Sequence, residues 1–76
     1  MLISPEQIRA GRALLGWSAR ELAEHADVSL NTIQRLETKS LLIAKSSVET
    51  IDKITRALTD NGVELTDNGR GVRLRG

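Results

Sequence analysis

The stretch Ser18–Leu36, SARELAEHADVSLNTIQRL, decides the fold. It predicts two short helices, one from Ser18 to about Ala26 and one from Ser29 onward. Only Asp27 and Val28 separate them. Ser18 and Glu21 have capping-box spacing, in which the serine oxygen accepts from the third helical N–H and the glutamate reaches back to the serine N–H. Trp17 and Leu22 sit at staple positions around that cap; Val28 and Ile33 do the same around Ser29. Leu22 and Ala26 face inward from the first helix, and Ile33 and Leu36 from the second. Ala23 is small where two steeply crossing helices must approach closely. Asp27 stands where the turn calls for a left-handed backbone. Glycine adopts that conformation most cheaply, but Asp tolerates it.

Two helices so joined form a helix-turn-helix, an arrangement whose second helix enters the DNA major groove. The recognition helix is expected to span about 29–39. At about 100° per residue, Asn31 points away from Ile33 and Leu36. The outer face then carries Asn31, Arg35 and Thr38, flanked by Leu30, Thr32 and Gln34. Asn and Gln match the adenine edge, Arg matches the guanine edge, and Thr or Leu can touch the thymine methyl. The candidate base-contacting set is therefore Leu30, Asn31, Thr32, Gln34 and Arg35. On composition alone the plain alternative, a solvated polar face, explains the residues better; the doubled caps and the tight turn shift the balance to DNA. Helix N-termini hold phosphates through backbone N–H groups. Ser18 and Ser29 are candidates to assist them, with Arg20, Lys39 and Lys45 as charged phosphate contacts. For those three cations, surface solubility is the competing reading.

The chain has 76 residues, which makes one small domain. A chain this short buries only about 60% of its unfolded surface, so oligomerisation is expected to add stability. With no cysteine and one histidine, disulfides and metal sites are not expected. His25 reads as a solvated surface residue, and no cofactor is expected. Eleven Lys and Arg against ten Asp and Glu give a net charge of +1, which disfavours indiscriminate polyanion binding without excluding a specific one. One aromatic residue, Trp17, offers no stacking platform for single strands or RNA loops. No apolar run spans a membrane and no signal-peptide pattern opens the chain, so a cytoplasmic location is expected.

A first helix is signalled by Ile3-Ser4-Pro5-Glu6-Gln7-Ile8. Ser4 caps it, Pro5 takes the first helical position, Gln7 closes a capping box and Ile3 staples to Ile8. Ile8, Gly11, Arg12 and Leu15 share a face, with Leu14 nearby, and Gly16 ends the helix. The loop 39–45 carries Leu41-Leu42-Ile43, read as partly covering the core. A fourth helix is expected from near Ser46, with Glu49 three residues on. Its apolar stripe is Val48, Ile51, Ile54 and Leu58, and Asn61-Gly62 stops it. Alternation then replaces helical periodicity: Val63 and Leu65, a turn cluster Asp67-Asn68-Gly69-Arg70-Gly71, then Val72 and Leu74. That pattern predicts a short β-hairpin. The expected architecture is a mainly α, compact four-helix helix-turn-helix domain over 1–62, with a β segment over 63–76 in the same compact domain.

The segment Ile8–Glu37 resembles the Cro/repressor class of helix-turn-helix domains, the XRE family, and fits a bacterial or phage protein. Arg12-x-x-x-Gly16-x-Ser18, Glu21-Leu22-Ala23, the Val28-Ser29 turn and Ile33-x-x-Leu36-Glu37 carry the match, about 30 residues. GVELTDNGRGVRLRG resembles the ending of many small bacterial members. The resemblance implies a structural ion pair between Arg12 and Glu37, tying the first helix to the end of the recognition helix. The chain departs from the family twice: Ala19 stands where a Gln usually contacts the DNA backbone or a neighbour, and Asp27 replaces the turn glycine.

The leading reading is a sequence-specific double-stranded DNA-binding transcriptional regulator, a repressor type binding a palindromic operator as a homodimer. Val63, Leu65, Val72 and Leu74 are the candidate dimerisation residues. They follow a core expected to end at Gly62, and a lone hairpin is marginal in water. Leu58 is read as an exposed addition to that interface, with Arg70, Arg73 and Arg75 facing solvent or phosphates. A hairpin folded back on its own fourth helix is the competing arrangement. The runner-up function is a protein-interaction module, such as an antitoxin whose main partner is a toxin. An enzyme is not expected: no nucleophile–base set, metal cluster or Gly-rich phosphate loop is present.

Overall fold

The computed structural model describes residues 3–38, 46–66 and 71–75. The described residues form four helices and a hairpin: α1 (Pro5–Leu14), α2 (Ala19–Ala26), α3 (Leu30–Leu36), α4 (Val48–Thr59), β1 (Val63–Thr66) and β2 (Gly71–Leu74). The loop carrying Lys39, Leu41–Ile43 and Lys45, and the turn carrying Asp67–Arg70, lie outside the described residues.

Side-chain caps open every helix. Ser4 and Ser18 each make the full reciprocal box, with Gln7 and Glu21 as partners. At α3 and α4 the same serine is followed by a threonine. Thr32 N donates to Ser29 Oγ at 3.1 Å and the two hydroxyls meet at 2.8 Å. Ser47 and Thr50 repeat both bonds at 3.1 and 2.9 Å. The cap of α4 is thus Ser47, one residue later than expected from Ser46. Glu49 takes no part in it and instead lies 3.5 Å from Lys53 on the exposed face.

Left-handed residues end α1 and α2. After Leu15, Gly16 takes φ 72°, and Trp17 N donates to Arg12 O at 2.8 Å. After Ala26, Asp27 takes φ 57°, ψ 48°, and Val28 N donates to Ala23 O at 3.0 Å. Both ends therefore satisfy carbonyls that a straight helix would leave open. Asp27 does the work of a glycine, as its position predicted. Helix α3 stops at Leu36 with Glu37 as its cap, shorter than the expected span to 39.

The core joins Ile3 and Ile8 of the first helical segment to Leu22, Ala23 and Ala26 of α2, Ile33 and Leu36 of α3, and Ile51, Ile54, Ala57 and Leu58 of α4. Two expectations for α4 are corrected. Val48 is 85% exposed rather than part of the stripe, because as the first helical residue it projects beyond the end of the core. Leu58 is 0% exposed rather than available to a second copy. It packs where α1 approaches: a Cβ added at Gly11 would lie 3.2 Å from both Leu58 δ-methyls and 3.5 Å from Val63 Cγ1. Gly11 therefore sets the α1–α4 spacing.

The hairpin is antiparallel, with Val63 opposite Leu74, Glu64 opposite Arg73, Leu65 opposite Val72 and Thr66 opposite Gly71. It is not free beyond Gly62. β2 lies along α1 and β1 along α4. Val63 is 1% exposed and belongs to the core of its own chain, which withdraws it from the candidate dimerisation set. Leu65 and Val72 pack half-buried on that core, and Leu74 remains 47% exposed. Buried Gln7 fastens the hairpin: its Oε1 accepts from Ser4 N at 3.0 Å and its Nε2 donates to Gly71 O at 3.0 Å. Two arginines expected to face solvent or phosphates find partners at home. Arg73 Nε lies 2.6 Å from Glu64 Oε1 across the strands. Arg75 N donates to Gly62 O at 2.7 Å, and its Nη2 donates to Thr59 O.

Candidate nucleic-acid interface

Helix α3 is amphipathic in the sense its sequence requires. Ile33 and Leu36 are buried, whereas Asn31, Gln34 and Arg35 are exposed on the opposite side. Leu30 and Thr32 are half-buried at the flanks, with Leu30 resting on the core. Thr32 is also tied by its hydroxyl to Ser29, which fixes its rotamer. Thr38, just past the helix, is exposed, but its hydroxyl donates to Arg35 O at 2.9 Å. Asn31, Gln34, Arg35 and Thr38 are thus exposed along α3 and just past its end.

The phosphate candidates divide. Ser18, Arg20 and Ser29 are exposed at the starts of α2 and α3. Each serine oxygen accepts one backbone N–H, from Glu21 at 3.1 Å and from Thr32 at 3.1 Å. Lys39 and Lys45 lie outside the described residues.

The far end of α3 is held by α1. Arg12 Nε lies 2.7 Å from Glu37 Oε2 and Arg12 Nη2 lies 2.9 Å from Glu37 Oε1, a two-point fork. A further Arg12 N–H donates to Trp17 O at 3.3 Å. Glu37 is only 6% exposed. Hydrogen bonding to the Glu37 carboxylate raises the Arg12 pKa, outweighing burial, which acts in the opposite direction.

The sequence that builds this capped helix, left-handed turn and second helix with an outward polar face matches a helix-turn-helix family model over residues 8–59. The chain belongs to the Cro/repressor-type helix-turn-helix family. A comparison with curated proteins gives no match. As a member, the chain is a DNA-binding regulator in general terms, of a family that is regulatory rather than typically enzymatic. No helix among the described residues is long and apolar enough to cross a membrane.

Three features of the helix-turn-helix and its supports were not read from the sequence. Trp17 and His25 stack with ring centroids 3.9 Å apart and planes 7° from parallel, so His25 covers Trp17 rather than standing alone in solvent. Gln7 was read as a cap only, and its reach to Gly71 has no local signature. Arg9, whose Nη1 donates to Glu37 O, was given no role.

Proposed function

We propose that this chain is a sequence-specific regulator that lays α3 in the major groove. Asn31 and Arg35 read base edges, adenine and guanine respectively, with Leu30, Thr32 and Gln34 against the flanking bases. The starts of α2 and α3, with Ser18, Arg20 and Ser29, grip phosphates on either side, joined by Lys39 and Lys45. The carrying observation is the exposure of Asn31, Gln34 and Arg35 on the side of α3 opposite buried Ile33 and Leu36. Selection of bound sequences from randomised duplex DNA tests the reading. A recurrent motif is expected, with affinity falling with salt at a log–log slope of about −0.9 per phosphate neutralised. No enriched motif and a flat salt profile would contradict it.

One module covers few base pairs, so the regulator acts as a homodimer on a palindrome with half-sites about 34–36 Å apart. A second copy of this chain meets the hairpin. Leu74 is exposed, Leu65 and Val72 are half-covered, and each strand of a two-stranded sheet has an open edge that can pair with another strand. The segment 63–76 would also have to serve any toxin partner. Its described residues are folded onto α1 and α4 rather than extended, which favours the regulator over the protein-interaction module.

A further inference from the structure

We infer that Arg9 is a positioning residue for DNA reading, acting through the end of the recognition helix without touching DNA; the inference rests on the DNA-binding reading above. Helix α3 has seven residues, under two turns, so its own hydrogen bonds fix its orientation weakly. Glu37 closes it. Two arginines three apart on α1, hence on one face, hold that single residue by different groups. Arg12 forks onto the Glu37 carboxylate, and Arg9 Nη1 donates to the Glu37 backbone carbonyl. A carbonyl at a helix C-terminus is an acceptor without a helical donor, and the helix dipole favours a cation there.

The two contacts are not equivalent. The carboxylate sits on a side chain with rotatable bonds, so Arg12 can hold Glu37 while the α3 backbone tilts. Arg9 holds the backbone itself. Arg35 lies in the last turn of α3, two residues before that carbonyl, and Thr38 follows it directly. A tilt at Glu37 therefore moves the Arg35 Cα, and with it the depth to which its guanidinium enters the groove. Bidentate base contacts are more sensitive to that displacement than phosphate contacts, which accept many approach directions.

The test compares the parent, Arg9→Met and Arg9→Gln on the selected duplex and on a scrambled duplex of equal length, across a salt series. Methionine keeps the aliphatic stem and removes the donor; glutamine removes the charge and keeps an amide donor. Arg9→Met is expected to bind the selected duplex about tenfold more weakly, the scale of one lost charge-assisted hydrogen bond. On scrambled duplex it should bind nearly as the parent does, with an unchanged salt slope. Arg9→Gln should recover part of the loss, again with the parental slope. Equal weakening on both duplexes, with the slope reduced by about 1, would make Arg9 a phosphate contact and overturn the inference. So would parental affinity of Arg9→Met for the selected duplex. If Arg9→Met does not fold, the slope and duplex preference of Arg9→Gln decide in the same way. A parent that binds no duplex contradicts the DNA-binding reading itself, and with it any role of Arg9 in binding.

Discussion

At the scale of single residues, Asn31 and Arg35 are the proposed base-reading pair, and substitution tests them in that role. Asn31→Ala and Arg35→Ala each remove an exposed group whose side chain makes no hydrogen bond among the described residues. Each should cost about 1–3 kcal/mol on the selected duplex and less on random DNA, leaving the melting temperature unchanged. Glu37 behaves oppositely. It is nearly buried and doubly forked, so Glu37→Ala strands the Arg12 guanidinium beside the core. Because the Arg12 side chain keeps 25% exposure, part of that charge can be rehydrated. The expected loss is about 1–3 kcal/mol, below the range for a fully buried pair. Melting should therefore fall by several degrees, and DNA affinity should fall with it; an unchanged melting temperature would show that the fork contributes nothing net.

Local chemistry explains what was legible and what was not. Caps, staples and the Asp27 turn depend on neighbours within a few residues, so SARELAEHADVSLNTIQRL announced α2, the turn and the start of α3, while α3 ends at Leu36, short of the expected 39. The Arg12–Glu37 pair spans 25 residues and came from the family resemblance, not from spacing. The fourth helix is expected from near Ser46, with Glu49 three residues on, and its cap is instead Ser47, bonded to Thr50. The Arg9 bond to a carbonyl carries no side-chain pattern at its acceptor end, so nothing in the sequence marked it. Exposure of Asn31 and Arg35 followed directly from the period of the helix.

At the scale of elements, the hairpin and α1 act together. Alternation at Val63, Leu65, Val72 and Leu74 predicted a two-faced hairpin correctly but could not say what covers its apolar face. The covering is intramolecular because Gly11 lets Leu58 and Val63 approach α1, and because Gln7 reaches the Gly71 carbonyl. Both residues act over more than forty positions of sequence. Gln7→Leu keeps approximate volume but removes the amide that donates to Gly71 O and accepts from Ser4 N. An unmade hydrogen bond of a buried group costs about 1–3 kcal/mol. Amide exchange is expected to speed up first in β2, ahead of α2 and α3; uniform acceleration across the chain would place the role of Gln7 elsewhere.

At the scale of the whole molecule, a core of this size gains from any surface that association removes from water. Deleting the hairpin would not isolate a dimer contact, since it would also remove Val63 from the core. Leu74 offers a cleaner probe, being half-exposed with no hydrogen-bonding role for its side chain. If the proposed dimer forms through the hairpin, Leu74→Asp should convert it to monomer in sedimentation at an unchanged melting profile, and should weaken binding to a full palindrome more than to a half-site. A parent that sediments as monomer at all concentrations would contradict the dimer.

The central claim is that α3 reads the major groove, and methylation interference on the selected duplex tests it most directly. Dimethyl sulfate marks guanine N7, which lies in the major groove, and adenine N3, which lies in the minor groove. The account predicts interference at guanine N7 within each half-site, with at least one such position lost in Arg35→Ala. Interference confined to adenine N3, or a guanine pattern identical in the parent and Arg35→Ala, would contradict it.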